Sequence, residues 1–284
     1  MNTTTRILTV RVLITCFLLA FMISSVAMAE ECKDIEFTLD ADNIRTLALD
    51  TGSGYLDITS SPGSIDIEVH ARACTDSRRR LDEMDVLYQR RGDNWNVETE
   101  TGNARGGISL FSLFDFNSHA RIEMDVRVPA GLVLDIDDGS GAINVRGVTG
   151  ELRISDGSGG IGISNVTGPV DIDDGSGEVD IRDVNGRIRV NDGSGSITIM
   201  RTMGVTVRDG SGSITIRDIE GNVHIPDDGS GSIRIERISG NVTIENDGSG
   251  SIDVEHVRGD FTARSTGSGN VYYRDVDGRV DVRD

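Results

Sequence analysis

The sequence predicts an all-β protein, a single-stranded β-solenoid (β-helix) whose coils are 17–19 residues long and contain two short strands each. The motif DGSG, replaced by TGSG in the last unit, begins eight successive units at steps of 17–19 residues within residues 138–284. Apolar and mostly β-branched residues recur at the sixth, eighth, eleventh, fifteenth and seventeenth places of each unit, an alternation typical of strands. A strand pair of this size cannot bury its apolar face alone, so we expect the units to stack on one another.

Residues 1–29 have the pattern of a secretory signal peptide. Two arginines come before an apolar run at residues 12–23, and Ala27 and Ala29 supply the small residues of a cleavage site. The run is shorter than the ~20 residues that span a bilayer, so we expect no transmembrane segment after processing. A retained N-terminal anchor is the alternative. The pattern favours an exported bacterial protein, located in the periplasm, secreted from the cell or held on the cell surface.

Residues 30–69 are expected to form N-terminal strands and a first coil, because TGSG at Thr51 repeats the layout of the later units. Cys32 and Cys74 are the two cysteines left after processing. An oxidising compartment favours a disulfide between them, and a pair of buried free thiols is the alternative.

Residues 70–120 depart from the repeat, and we expect an irregular insertion or cap there. Their sequence predicts a short helix and then a hairpin around Gly92 and Asp93, with Trp95 on its inner side. The segment also contains three clustered phenylalanines, namely Phe111, Phe114 and Phe116. These rings either cover the open end or side of the solenoid, or contact a partner or a membrane surface.

Residues 121–284 contain the predicted array, with its eight DGSG or TGSG coils starting at residue 138. In an in-register stack, like charges on neighbouring coils repel, and most outward columns alternate in sign. The column at the sixteenth place begins with Arg153, Asp171 and Arg189. The column at the tenth place includes Asp183, Arg201, Asp218 and Arg237. We expect ion pairs between coils in both columns.

The aspartate that begins each unit does not alternate in charge. The column consists of Asp138, Asp156, Asp174, Asp192, Asp209, Asp228 and Asp247. Aspartate can accept a hydrogen bond from the backbone two residues on, so the column is expected to line one corner and cap its turns. Asp137, Asp173 and Asp227, with Asn191 and Asn246, come just before the column and are expected to supplement this corner. The alternative is a Ca²⁺ site built from these carboxylates. Threonine at positions 51 and 266 of otherwise intact units favours capping, and no cofactor is expected.

A resemblance accompanies this pattern. The lead-in RVPAGLVLDIDDGSG at residues 127–141 and the recurrent GSGSITI or GSGEVDI strands resemble a bacterial cell-envelope β-strand repeat family of unknown function. Its members are called adhesins by analogy of fold, which is weak evidence of function. The resemblance covers residues 44–69 and 121–284, and it implies a β-solenoid with no catalytic residues to transfer.

Charge and composition narrow the range of function classes that this protein can have. A formal net charge of −19 opposes binding to nucleic acid. The four histidines are scattered, and a serine that recurs in every GSG turn belongs to turn chemistry rather than to a nucleophile. The sequence therefore predicts a non-catalytic exported scaffold, adhesin-like, that presents a rigid acidic face to an unknown envelope or surface ligand. A polysaccharide-acting β-helix enzyme is the less favoured class.

The last unit contains the exposed candidate Tyr272 beside several arginines and aspartates. These charges are typical of a blunted strand edge, which favours a monomer. An end-to-end dimer through Tyr272 and paired charges is the alternative.

Overall fold

A computed structural model describes residues 30–102 and 120–283. In this part of the chain the protein is a β-solenoid of about eight turns, as the sequence predicts. The predicted signal peptide and the three clustered phenylalanines lie outside the described residues. None of the helical structure in the described ranges has the length and apolar character needed to cross a bilayer.

Twenty strands and one short helix make up the described chain. The N-terminal elements are β1 (Glu31–Asp40), β2 (Thr46–Ser60), β3 (Asp66–Thr75), α1 (Arg78–Glu83), β4 (Asp85–Arg91), β5 (Asn94–Glu100) and β6 (Ala120–Val128). The next are β7 (Val133–Arg146), β8 (Leu152–Asp156), β9 (Gly159–Thr167), β10 (Val170–Asp174), β11 (Gly177–Asp192), β12 (Gly195–Asp209) and β13 (Gly212–Ile219). The last are β14 (Val223–Asp228), β15 (Ile233–Ile238), β16 (Val242–Asn246), β17 (Ile252–Val257), β18 (Phe261–Ser265), β19 (Val271–Val276) and β20 (Val280–Val282).

Successive coils pair as parallel strands in the register that the repeat predicts. Val179 lies opposite Ile161 on one neighbouring coil and opposite Ile197 on the other, all three at the sixth place of their units. In β2 and β7 the pairing continues through the GSG turn, so these two strands are longer than the predicted short pairs. The predicted apolar columns are buried in the interior except in the last coil, where Val271 and Val280 are only partly buried. Stacked β-branched side chains fill this narrow core without many aromatic rings.

Within the predicted insertion or cap at residues 70–120, the structure describes residues 70–102 and residue 120, which form strands and one short helix. The predicted helix and hairpin are present, with β4 and β5 antiparallel on either side of Gly92 and Asp93. Trp95 packs against the core, and its Nε1 donates a hydrogen bond to the carbonyl oxygen of Asp40 at 2.8 Å. Strands β1, β3 and β6 form an antiparallel sheet over the end of the stack.

The first coil, which contains Thr51, lies inside the stack. On one side, β2 pairs with β7, so that Thr51 lies opposite Asp138. On the other side, β2 pairs with β5 through residues 46–50 and with β6 through residues 56–60. Strands β5 and β6 therefore complete one further coil that has no DGSG motif.

The second glycine of each GSG turn is required by the close approach of neighbouring coils. Gly177 has a φ of +150°, and a Cβ built on it would lie 1.4 Å from the carbonyl oxygen of Gly159. The glycine at this place therefore supplies both the backbone angle and the space for the next coil.

Candidate functional site

The most unusual feature of the interior is a column of buried carboxyl groups. We call the seven aspartates that begin the DGSG units the aspartate ladder: Asp138, Asp156, Asp174, Asp192, Asp209, Asp228 and Asp247. Each is only 1–7 % exposed, and each lies opposite its equivalent on the next coil. Thr51 and Thr266 occupy the same place in the two coils that flank the ladder, and both are also buried.

The ladder points inward because its place continues the alternation of the preceding strand. In β10, Val170 and Ile172 are buried, Asp173 between them and the turn is exposed, and Asp174 is buried again. The expectation that Asp137, Asp173 and Asp227 lie at the same corner as the ladder is therefore wrong, since all three are exposed. They form part of an outer column, where Asn191 donates to Asp173 at 2.6 Å.

One oxygen of each central ladder residue caps its turn, as predicted. The Oδ1 atom of Asp156 accepts the backbone N–H of Ser158 at 3.2 Å, and that of Asp192 accepts the N–H of Ser194 at 3.0 Å. Asp174 and Asp209 make the equivalent bonds. At the N-terminal end of the ladder, the Thr51 hydroxyl donates to Oδ1 of Asp138 at 2.6 Å.

The second carboxylate oxygen of these residues has no hydrogen-bond donor. The Oδ2 atoms of five ladder aspartates are buried without a hydrogen bond, namely those of Asp138, Asp156, Asp174, Asp192 and Asp209. Asp228 is 1 % exposed, and neither of its oxygens accepts a hydrogen bond from an N–H or hydroxyl group of the described chain. A column of unpaired acceptors in a β-branched core is costly while the carboxyls are ionised.

The environment raises the pKa values along the ladder. Burial raises the pKa of Asp156 to about 6, with a smaller contribution from the charges of Asp138 and Asp174. Burial likewise raises the pKa of Asp192 to about 6. The pKa of Asp228 rises to about 7, through burial first and then through the neighbouring carboxyl of Asp247.

The geometry of the ladder does not support the Ca²⁺ alternative. Ca²⁺ takes 6–8 oxygen ligands, whereas an ion on a linear ladder with a spacing of ~4.8 Å lies between only two carboxyls. Among the described residues, Glu236, Glu255 and His256 do bring ligand atoms within 4.8 Å of one another. These side chains are already engaged in ion pairs with arginines or an aspartate on the outer face.

A second candidate site is a groove along the outside of six consecutive coils. It has a volume of about 910 Å³ and is lined by the tenth, eleventh and twelfth places of the units. The predicted ion pairs of the tenth-place column lie along one wall. Arg201 donates to both oxygens of Asp183 at 2.6 and 2.8 Å, and Arg237 donates to both oxygens of Asp218 at 2.5 and 3.0 Å.

The backbone at the tenth place shapes this wall. Asp183, Arg201, Asp218, Arg237 and His256 all have φ values between 55° and 60°, in the left-handed region. Few residues other than glycine, asparagine and aspartate adopt this conformation readily, and it turns the chain sharply between the two strands of a coil. The repeated turn gives all coils of the groove the same profile. The sequence signal for this bend is the tenth place itself, which is Gly147 in the first array unit, Asn165 in the second and Asp183 in the third, residue types that adopt a positive φ readily.

The structure places the other candidate residues as follows. Cys32 and Cys74 lie opposite each other in β1 and β3, and their sulfur atoms are joined in a disulfide. In the sixteenth-place column Arg189 pairs with Asp171 at 3.2 Å, while Arg153 pairs with Glu151 instead. Tyr272 is exposed on β19, and its role in a dimer stays a prediction.

No protein-family model and no curated protein matches this chain. Among solved structures, it is similar to a "putative lipid binding protein" from Parabacteroides distasonis, with 11% identity, coverage of 89% of this chain and 96% of that chain, and a TM-score of 0.41. It is also similar to a "putative adhesin" from Bacteroides fragilis, with 14% identity, coverage of 88% and 96%, and a TM-score of 0.30.

A third similar structure is a "putative cell adhesion protein" from Clostridium sporogenes, with 11% identity, coverage of 89% of this chain and 99% of that chain, and a TM-score of 0.26. All three TM-scores are below 0.5, so these similarities carry no argument about the function of this chain.

Proposed function

We propose that the protein is a non-catalytic exported scaffold, adhesin-like, which holds an extended and hydroxyl-rich polysaccharide of the cell envelope or cell surface in its groove. The observation that carries this proposal is the groove itself. It repeats one profile over six coils, a length of about 24 Å at the usual strand spacing, and the charged side chains of its tenth-place wall are paired with one another. A rigid groove of this shape suits a polymer better than a small molecule.

The charges of the groove favour a neutral ligand. Its lining contains five acidic side chains and three arginines besides His256, a net charge of −2 with histidine neutral. The whole chain has a net charge of −19, so a strongly anionic polymer is repelled. Carboxylates and guanidinium groups that are already paired with each other keep spare acceptors and donors, which hydroxyl groups can use.

The electrostatics of the groove support binding rather than hydrolysis. Glycoside hydrolases need one carboxylic acid with a raised pKa beside a second carboxylate. Hydrogen bonds from Arg201 and Arg237 lower the pKa values of Asp183 and Asp218, so both are ionised bases. The carboxyls with raised pKa values in the ladder are buried in the core, away from the groove.

The test measures binding of neutral envelope polysaccharides to the immobilised exported protein. We expect wild-type protein to bind, and the double variant Arg201→Asn, Arg237→Asn to lose at least tenfold in affinity. Asparagine suits the left-handed backbone and already occupies the equivalent place at Asn165, so the coils are expected to keep their fold.

The matched control is Arg153→Asn with Arg189→Asn, which removes two exposed, ion-paired arginines outside the groove. We expect this variant to bind like the wild type. Equal binding by wild type and the groove variant would contradict the proposed site. Release of new reducing ends from the polysaccharide by the wild-type protein would contradict a non-catalytic role.

A further inference from the structure

We propose that the aspartate ladder is a proton-binding site, in which neutral carboxyl groups donate hydrogen bonds to one another along the axis of the solenoid. The proposal concerns the interior of the stack and is independent of the groove and its ligand. Its ligand is the proton, and no metal is required.

The first step of the argument is the burial of like groups. Seven carboxyls lie in one column at a spacing of ~4.8 Å, and none is more than 7 % exposed. Full ionisation would place seven negative charges side by side in a core of valine and isoleucine. Both desolvation and mutual repulsion oppose that state.

The second step is the absence of a compensating cation among the described residues that act on the ladder. The charged groups that act on Asp138, Asp156, Asp192 and Asp228 are other ladder aspartates, together with Asp137 and Asp227. Arg208 adjoins the ladder in sequence, but its side chain is exposed on the outer face. Protonation is the remaining way to neutralise the column from within the chain.

The third step is hydrogen-bond accounting. In each central residue Oδ1 already accepts a backbone N–H, and Oδ2 is buried without a donor. A proton on one carboxyl would supply the missing donor to the carboxyl of the next coil, for instance between Asp228 and Asp247, whose four oxygens are all buried without a donor. Thr51 begins the series, because its hydroxyl group donates a hydrogen bond to Asp138. One proton per coil therefore satisfies acceptors that are otherwise unpaired.

This arrangement links stability to pH with a defined sign. A carboxyl whose pKa is raised on folding binds protons more tightly in the folded state than in the unfolded state. Its contribution is complete below the unfolded pKa of 3.8 and is lost as the pH rises through the folded values of about 6 and about 7. The folded protein should therefore lose stability between about pH 4.5 and pH 7.5.

The experiment compares the thermal unfolding of three forms of the exported protein over this pH range. For the wild type we expect the midpoint to fall by about 5 °C or more. In the ladder variant Asp156→Asn, Asp174→Asn, Asp192→Asn, asparagine keeps the Oδ1 acceptor and needs no proton. We expect its midpoint to fall by less than half as much.

The matched control is Asp171→Asn, Asp173→Asn, Asp180→Asn, which removes three acidic groups from the outer face of neighbouring coils. We expect it to keep the pH dependence of the wild type. His70, His224 and His256 pair with outer-face carboxylates, and all three forms of the protein retain these histidines. Equal slopes for the ladder variant and the control would overturn the proposal.

Infrared spectroscopy of the wild type tests the proposal even if the ladder variant fails to fold. At pH 5.5 we expect the carbonyl band of protonated carboxyl groups, which unfolding at the same pH removes. The absence of that band would overturn the proposal. So would a saturable rise of the unfolding midpoint with Ca²⁺ or K⁺ at constant pH, because the ladder would then hold a metal cation.

Discussion

At the scale of single residues, the four central ladder aspartates, Asp156, Asp174, Asp192 and Asp209, each have their two oxygens in different surroundings. In Asp174, Oδ1 accepts the N–H of Ser176 at 3.1 Å and thereby fixes the GSG turn. The Oδ2 atom of the same residue faces the core without a partner. One side chain therefore connects the geometry of the corner to the protonation state of the interior.

Thr51 provides the first residue-scale prediction. Thr51→Val keeps the shape of the side chain but removes the hydroxyl that donates to Asp138 at 2.6 Å. A buried acceptor that loses its donor costs about 1–3 kcal/mol. We expect the free energy of unfolding, measured by urea denaturation, to fall by that amount.

Thr51→Ser is the control, because serine retains the hydroxyl group and differs from threonine by one methyl group. We expect it to lose less than half of what the valine variant loses. A valine variant as stable as the wild type would show that the hydroxyl is not needed at the end of the ladder.

The sequence predicts part of this site and misses part of it. The capping role follows from the known preference of aspartate to accept a hydrogen bond from the backbone two residues on. Burial of Asp174 is also readable in principle, because its place continues the alternation of Val170 and Ile172. The DGSG corner was predicted as a turn separate from the preceding strand, so the burial of its aspartate was not predicted. The unpaired oxygens and raised pKa values depend on neighbouring coils and need coordinates.

At the scale of the repeat unit, the second glycine of the GSG turn decides whether two coils can approach. We predict that Gly177→Ala destabilises the protein by about 3 kcal/mol or more, because the methyl group meets the Gly159 carbonyl and the positive φ is strained. Chemical denaturation measures the loss. We also expect the unfolding transition of this variant to be broader and less cooperative than that of the wild type, because each coil contacts only its neighbours.

Gly204→Ala is the matched control within the same array. A Cβ at Gly204 would meet its nearest neighbour at 3.6 Å, an ordinary contact distance. We expect a change within about 0.5 kcal/mol, as is usual for substitutions that create no clash. Similar losses for the two alanine variants would contradict the role assigned to Gly177.

Elements that follow the repeat are predictable, and those formed by distant pairing are not. The alternation of apolar residues predicts the strands of the array, and Gly92 with Asp93 predicts the hairpin. Strands β5 and β6 carry no DGSG motif between them. They become a coil only because Thr46 pairs with Asn94 and Leu56 with Met124, contacts that no local pattern announces.

At the scale of the whole molecule, the disulfide connects β1 to β3 at the N-terminal end of the described chain. Cys32 and Cys74 are 42 residues apart in sequence. The chain-entropy treatment of a loop of this length gives a stabilisation of about 4 kcal/mol. We predict that Cys32→Ala with Cys74→Ala lowers the free energy of unfolding by about 2–4 kcal/mol.

Intact-mass analysis after alkylation of the native and the denatured protein checks the bond directly. We expect no alkylated thiol from Cys32 or Cys74 before reduction and two after it. Two alkylated thiols in the unreduced, denatured protein would contradict the disulfide.

The position of the first coil has a consequence for the order in which the chain assembles. Strand β2 is made early, yet both of its neighbours are made later: β5 and β6 on one side and β7 on the other. During N-to-C synthesis one edge of this coil therefore stays unpaired until residue 128 has emerged, and the other until residue 146 has emerged. From β7 onward each new coil adds to a finished edge, so growth becomes local and directional. The slow step of folding should lie in assembling the N-terminal end, with the repeats following by templated addition.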